Sequence, residues 1–171
     1  MTLYGYFRTK DELLDAVVDA AVAEAAPVSV GTGTWKEQLG NLLRGIHENL
    51  GRHPSGVRIR LVRPMLSPQA LQITEAALQI LEGAGFGRAE ATRAYRALFT
   101  YTFGFASFNS PERPDEAKRH TKAALTALSP DDYPTLTGAA SEAAETVAGE
   151  AQFEFGLERL LDGLETLLKR S

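Results

Sequence analysis

Apolar residues recur with a helical period along nearly the whole chain, and glycine or proline closes each block. Period-two alternation, the mark of a half-buried strand, is nearly absent. Thr9 with Glu12 forms a capping box before Leu13, Leu14, Val17, Val18, Ala21 and Val22, which predicts a helix over 10–26 that stops before Pro27. Thr34 with Glu37 repeats the device ahead of Trp35, Leu39, Leu42, Leu43, Ile46 and Leu50, a helix that ends near Gly51 because His53-Pro54 bars it. A short helical piece is expected over 56–62, stopping at Pro64. Ser67-Pro68 is an N-cap and first-turn pair that opens a helix to about Gly83. Gly85-Phe86 follows as a glycine stop with an apolar anchor.

The next segments differ in kind. Residues 88–107 carry Tyr95, Leu98, Phe99, Tyr101, Phe103 and Phe105, with Phe108 just after, on more than one side of a helix; such a helix must be buried on several faces. Pro111, Pro114, Pro130 and Pro134 break the stretch 109–152 into short pieces, with helices expected over 116–128 and 134–147. In the final predicted helix, 153–170, Leu157, Leu161, Leu164 and Leu168 step by four, three and four, the spacing of a helix–helix seam. Gly156 and Gly163 sit seven apart on one side, where a second helix has room to approach, at a cost of roughly 1 kcal/mol each against alanine. The fold class is all-α: a multi-helix body, 35–171, joined to an N-terminal stretch, 1–26.

With 171 residues, 44% of them hydrophobic, the chain is long enough to form a real core. No cysteine is present, which excludes disulfides, thiolate catalysis and cysteine-based zinc sites. His47, His53 and His120 are too far apart in sequence to form a local metal motif, so no metal and no cofactor are expected. No apolar run of about 18 residues and no charged-then-apolar leader appear, so no membrane contact and a cytoplasmic location are expected. The net charge of −4 argues against a DNA-binding surface spread over the whole molecule. Yet no acid lies between Glu48 and Glu75, while Arg52, Arg58, Arg60 and Arg63 do. A DNA-facing end, a pocket for an anion, and pairing with acids on neighbouring helices all produce that pattern.

The opening stretch carries the most specific motif. Leu3, Tyr4, Tyr6 and Phe7, then Lys10, Glu12, Leu13 and Leu14, resemble the end of the recognition helix, the basic turn and the following helix start of TetR-family transcriptional regulators. The resemblance implies that residues 1–26 are the remnant of a helix-turn-helix domain plus a connecting helix. It also implies that Thr2, Tyr4, Tyr6 and Lys10 lie at DNA, chiefly on phosphates, which fix register without reading bases. The family pattern places two helices and most of the recognition helix ahead of this segment. Operator DNA is thus an expected partner only when those helices are present, and specific operator binding by these 171 residues is not expected. The bland alternative is that Leu3, Tyr4 and Phe7 are simply core.

The body resembles the regulatory domain of the tetracycline-repressor branch, most clearly in Phe153-x-Phe155-Gly156-Leu157-x-x-Leu160-Leu161-Asp162-Gly163-Leu164. That likeness implies a homodimer built as a four-helix bundle from the 88–107 and 153–170 helices, with Gly156, Leu157, Leu160, Leu161, Gly163, Leu164 and Leu168 at the interface. It further implies a small-molecule effector pocket in each body. Leu42, Ile46, Ile59, Arg60, Thr74, Leu78, Tyr95, Phe99 and Phe103 are its candidate lining, although aromatic and aliphatic residues at helical spacing are more often core. A rough alignment anchored on Trp35 and His53 puts Leu42 and Ile46 where tetracycline repressors hold ligand with Asn and Phe. It puts Arg60 near their magnesium-binding histidine. A guanidinium stays protonated and cannot ligate a cation, so a mostly apolar effector with an acidic group suits the site better than a magnesium complex.

The expected function is a ligand-responsive repressor that releases operator DNA when its effector binds, with the 10–26 helix carrying the change. An enzyme is the rival from another class; no nucleophile–base motif or phosphate loop supports it. A stand-alone dimeric binder of hydrophobic ligands, without DNA binding, is the second rival.

Overall fold

Thr34 opens the first helix through a reciprocal capping box. The Thr34 backbone N–H donates to Glu37 Oε2 at 2.7 Å, and the Glu37 N–H donates to Thr34 Oγ1 at 3.3 Å. The Thr34 N–H first, and then the Thr34 hydroxyl, which also donates to Glu37 Oε2 at 2.9 Å, hold the Glu37 carboxyl below its ordinary range. The structure, a computed structural model, describes residues 32–52, 68–108, 114–147 and 149–169. The expected 10–26 helix, the 56–62 piece and the Ser67 cap lie outside the described residues.

Seven helices occur among the described residues: α1 Trp35–Arg52, α2 Pro68–Gly83, α3 Arg88–Phe108, α4 Pro114–Thr126, α5 Pro134–Gly138, α6 Ala140–Glu145 and α7 Glu150–Leu168. No strand occurs among them, and the fold is all-α. The described residues divide into two compact units, one running to Ser107 and resuming at Leu157, the other Phe108–Gly156.

In the first unit, α2 ends in a Schellman motif. Phe86 N–H donates to the Leu81 carbonyl at 3.2 Å and Gly85 N–H to that of Glu82 at 3.0 Å, while Gly85 adopts a φ of +105°. The chain therefore turns sharply and drives Phe86 into the core, where its ring meets Trp35 edge-on at 5.5 Å. Leu39 and Leu43 of α1, Leu81 of α2, Leu98 of α3 and Leu157 of α7 are fully buried. Gly40 faces α7: a Cβ built there lies in ordinary van der Waals contact with Leu161 Cδ1, at 3.6 Å. The same two helices are pinned outside by Lys36, whose Nζ donates to Asp162 at 2.7 Å and lies 3.6 Å from Glu165.

In the second unit, α6 packs on α4 through the buried Ala140 and Ala144, side chains small enough for close helix approach. Lys118 Nζ donates to Glu145 Oε2 at 2.6 Å across the same pair.

Three predicted boundaries shift. The helix expected over 116–128 is Pro114–Thr126, with Pro114 in the first turn, where its missing N–H costs nothing. The single helix expected over 134–147 is two, α5 and α6, broken at Ala139 (φ −97°, ψ 12°) just after Gly138. The final helix starts at Glu150 rather than 153, directly after Gly149, whose φ of +139° ends any continuation from upstream.

Candidate effector site

Among the described residues, α3 supplies the most distinctive chemistry. Tyr95, Phe99 and Phe103 recur every four residues and so stack along one face of the helix. Their ring centroids are 5.9 Å apart for Tyr95–Phe99 and 5.8 Å for Phe99–Phe103, the second pair nearly parallel at 22°. Tyr95 is almost fully buried, whereas Phe99 and Phe103 are only half-buried. A second row, Tyr101 and Phe105, runs beside it with centroids 5.9 Å apart, and Phe105 meets His47 of α1 edge-on at 5.6 Å. Two aromatic rows account for the apolarity of α3 on several sides.

Thr74 of α2 reaches the first row. Its hydroxyl lies 3.4 Å from the Tyr95 hydroxyl and donates to its own helix at the Ala70 carbonyl, 2.9 Å away. Burial pushes the Tyr95 phenol above its ordinary pKa, and the Thr74 hydrogen bond offsets part of that. The phenol is therefore neutral at physiological pH. Leu78, one turn after Thr74, is half-buried.

On α1, Leu42 is half-buried and Ile46 is buried, and both lie on one stripe of that helix. Asn49 extends the stripe by one more turn and is 4% exposed, which no apolar pattern requires. Its amide Nδ2 has no hydrogen-bond partner among the described residues. Sequence reasoning passed over this residue, although a polar side chain continuing the stripe of Leu39, Leu42 and Ile46 was a visible signal. Thr102, also buried, satisfies itself by donating to the Leu98 carbonyl at 3.0 Å. Ile59 and Arg60 lie outside the described residues, as do Thr2, Tyr4, Tyr6 and Lys10.

The residues expected at a subunit interface fall on two stripes of α7. Leu157 and Leu161 are buried within this chain (0% and 4% exposed), and Leu168 Cδ2 lies 3.8 Å from a Cβ built on Gly85. Leu164 is half-buried on the same side. Leu160 and Gly163 sit on the adjacent face with Leu167, which is 41% exposed, and a Cβ built on Gly163 meets nothing within 4 Å. Gly156 is half-buried. No group of three or more potential metal ligands occurs among the described residues, and none of the described helices is long and apolar enough to cross a membrane.

Comparison with known proteins places this arrangement. Residues 26–168 match the family described as tetracyclin repressor-like, C-terminal domain. A transcriptional regulator of the helix-turn-helix type from Saccharopolyspora erythraea is 32% identical over 166 residues, which cover 95% of this chain and 69% of that protein. Among solved structures, a possible TetR family transcriptional regulator from Streptomyces coelicolor A3(2) aligns with a TM-score of 0.81 at 29% identity, covering 96% of this chain and 82% of that one. The Streptomyces coelicolor TetR family protein ActR, solved in complex with (S)-DNPA, aligns with a TM-score of 0.78 at 25% identity, covering 96% and 79%.

Proposed function

The chain belongs to the TetR family of transcriptional regulators, and on that premise we propose that it is the effector-sensing and dimerising part of a ligand-responsive repressor. The observation that carries this is the row Tyr95–Phe99–Phe103. Two of its three rings, Phe99 and Phe103, are only half-buried, as are Tyr101 and Phe105 of the neighbouring row, while Ala91, Ala94, Leu98 and Ala106 of the same helix are spent on the core. Unspent aromatic surface beside a buried hydroxyl pair suits a mostly apolar ligand held by one or two polar contacts. That ActR was solved with a small molecule bound supports the same assignment. Leu42 and Ile46 of α1, Thr74 and Leu78 of α2, and Ile59 and Arg60 line the proposed site, with Arg60 meeting an acidic group of the effector.

The proposed homodimer uses α7 with α3. Because Leu157 and Leu161 are already buried in their own chain, the contact with a second copy falls on the neighbouring stripe, Leu160, Gly163 and Leu167. Operator DNA belongs to the helix-turn-helix part of the family architecture, with Thr2, Tyr4, Tyr6 and Lys10 as phosphate contacts. Effector binding favours one arrangement of the dimer and so weakens DNA binding. A cytoplasmic location goes with that role.

A thermal-shift screen of apolar aromatic acids tests the site. Compounds that raise the melting temperature of the wild-type chain should fail to do so with Phe99→Ala, and those with a carboxylate should lose part of their shift with Arg60→Ala. Equal shifts in wild type and Phe99→Ala would remove the aromatic row from the site.

A further inference from the structure

The helices of the second unit are held by far less than those of the first. Among the described residues of 114–147, α4 and α5 bury no side chain, and α6 buries only Ala140 and Ala144. By contrast α2, not much longer than α4, buries Ala70, Ile73, Ala76, Ala77, Ile80 and Leu81. The larger apolar side chains of 114–147 are not spent on a core. Leu125 and Leu128 are half-buried, and Tyr133 and Leu136 are 52% and 41% exposed. At 13, 5 and 6 residues, these helices are too short to persist alone in water, so packing must hold them. That packing is two alanine methyls between α4 and α6, and the pair of Lys118 with Glu145, whose side chains are 30% and 72% exposed. An exposed pair contributes little, and a buried methyl far less than a buried leucine.

We propose that residues 114–147 form a cooperative unit that unfolds and refolds locally while α1, α2 and α3 stay folded, an order–disorder element built into the chain. Native proteins open in such contiguous units, and a unit that buries little apolar surface opens at little cost. Leu39, Leu43, Leu81 and Leu98, each fully buried, tie α1, α2 and α3 to unfolding of the whole fold. The α4–α6 pair has Ala140 and Ala144 in that place and opens far more often. Its composition suits an element that must do both. Alanine favours helix strongly enough to keep the segment folded most of the time, and it lacks the bulk that would lock the helices together. Anything that touches only the folded form shifts the balance, and a weak bias suffices because little free energy separates the two states.

Hydrogen exchange read by mass spectrometry on the 171-residue chain tests this, because peptides from α4 and α6 are followed beside those from α1 and α3. Amides of α4 and α6 should be protected, yet exchange about a hundredfold faster than those in the middle of α1 and α3. Ala144→Gly removes one of the two methyls and weakens α6 as a helix, so exchange throughout 114–147 should quicken roughly five- to tenfold. Glu145→Gln, or added salt with wild type, should quicken it about two- to fivefold. Trp35, the only tryptophan, sits in α1 and reports unfolding of the first unit in urea. Its midpoint, and exchange in α1 and α3, should be the same in both variants as in wild type, which also shows that the variants are folded. Exchange in α4 and α6 as slow as in α1 and α3 overturns the local unit, as does a complete lack of protection there. So does a fall in the Trp35 midpoint without faster exchange in 114–147. Protection of 114–147 that climbs with chain concentration also overturns it, since a second copy then holds the segment.

Discussion

Replacing Gly163 with arginine gives opposite results for a lone chain and for a dimer joined along α7. Within one chain, a Cβ at this position meets none of the described residues within 4 Å, so a side chain can start there without a clash. The helix interior then exchanges its least favourable ordinary residue for a good helix former, a gain of about 0.7 kcal/mol. In a dimer packed on Leu160, Gly163 and Leu167, the same guanidinium is forced into an apolar seam. Burying it without a partner costs several kcal/mol, and every 1.4 kcal/mol weakens association tenfold. The expected outcome is a dimer at least a hundredfold weaker, from a chain whose own fold is slightly firmer. Sedimentation equilibrium over a concentration series reads the first quantity. Chemical denaturation at concentrations low enough to leave the chain monomeric reads the second. Wild type should self-associate and melt higher as concentration rises, while Gly163→Arg should stay monomeric with a concentration-independent transition. If Gly163→Arg self-associates as tightly as wild type, the stripe of Leu160, Gly163 and Leu167 is not the interface.

Three further outcomes follow from the geometry. Gly85→Ala should destabilise by 1 kcal/mol or somewhat more, roughly, because its φ of +105° is strained for any residue with a Cβ; unchanged denaturation would refute the Schellman turn. Phe86→Ala should cost about 3–5 kcal/mol, the range for a buried phenylalanine, and a loss under 1 kcal/mol would mean that Phe86 does not seat on Trp35. The hydrogen bond from Lys36 holds the Asp162 carboxyl below its ordinary value and raises the Lys36 ammonium in turn. The Asp162 contribution is therefore present above about pH 4 and lost as pH falls through the lowered folded value. The Lys36 contribution is present below its ordinary value and lost only as pH rises past the raised one. Melting temperature followed from pH 7 down to pH 2 should fall less steeply for Asp162→Asn than for wild type; superimposable profiles would show that the pair contributes nothing.

Some of this molecule was legible residue by residue because its causes are local. The Thr34–Glu37 box, the glycine stop at Gly85 and the ends of α1 and α2 depend on atoms within a few residues of one another, so spacing alone fixes them. The motifs at both ends resembled the TetR family strongly enough to name it, since they preserve several residues in register. The break at Ala139 follows directly on Gly138, a poor helix former whose local signal the Ala- and Glu-rich run after it masked. The lateral division of α7 was equally invisible. A leucine seam with glycines beside it reads as a single interface, and only the packing of α1 against Leu161 shows that one stripe serves the chain's own core while its neighbour stays open. Asn49 completes the contrast. Its identity and its place on the stripe are written in the chain, but burial and an unmatched N–H are properties of its surroundings. Sequence by itself determined the all-α class, the capping box of α1, the glycine stop of α2 and the family; tertiary structure decided which faces are spent, because burial depends on residues far away along the chain.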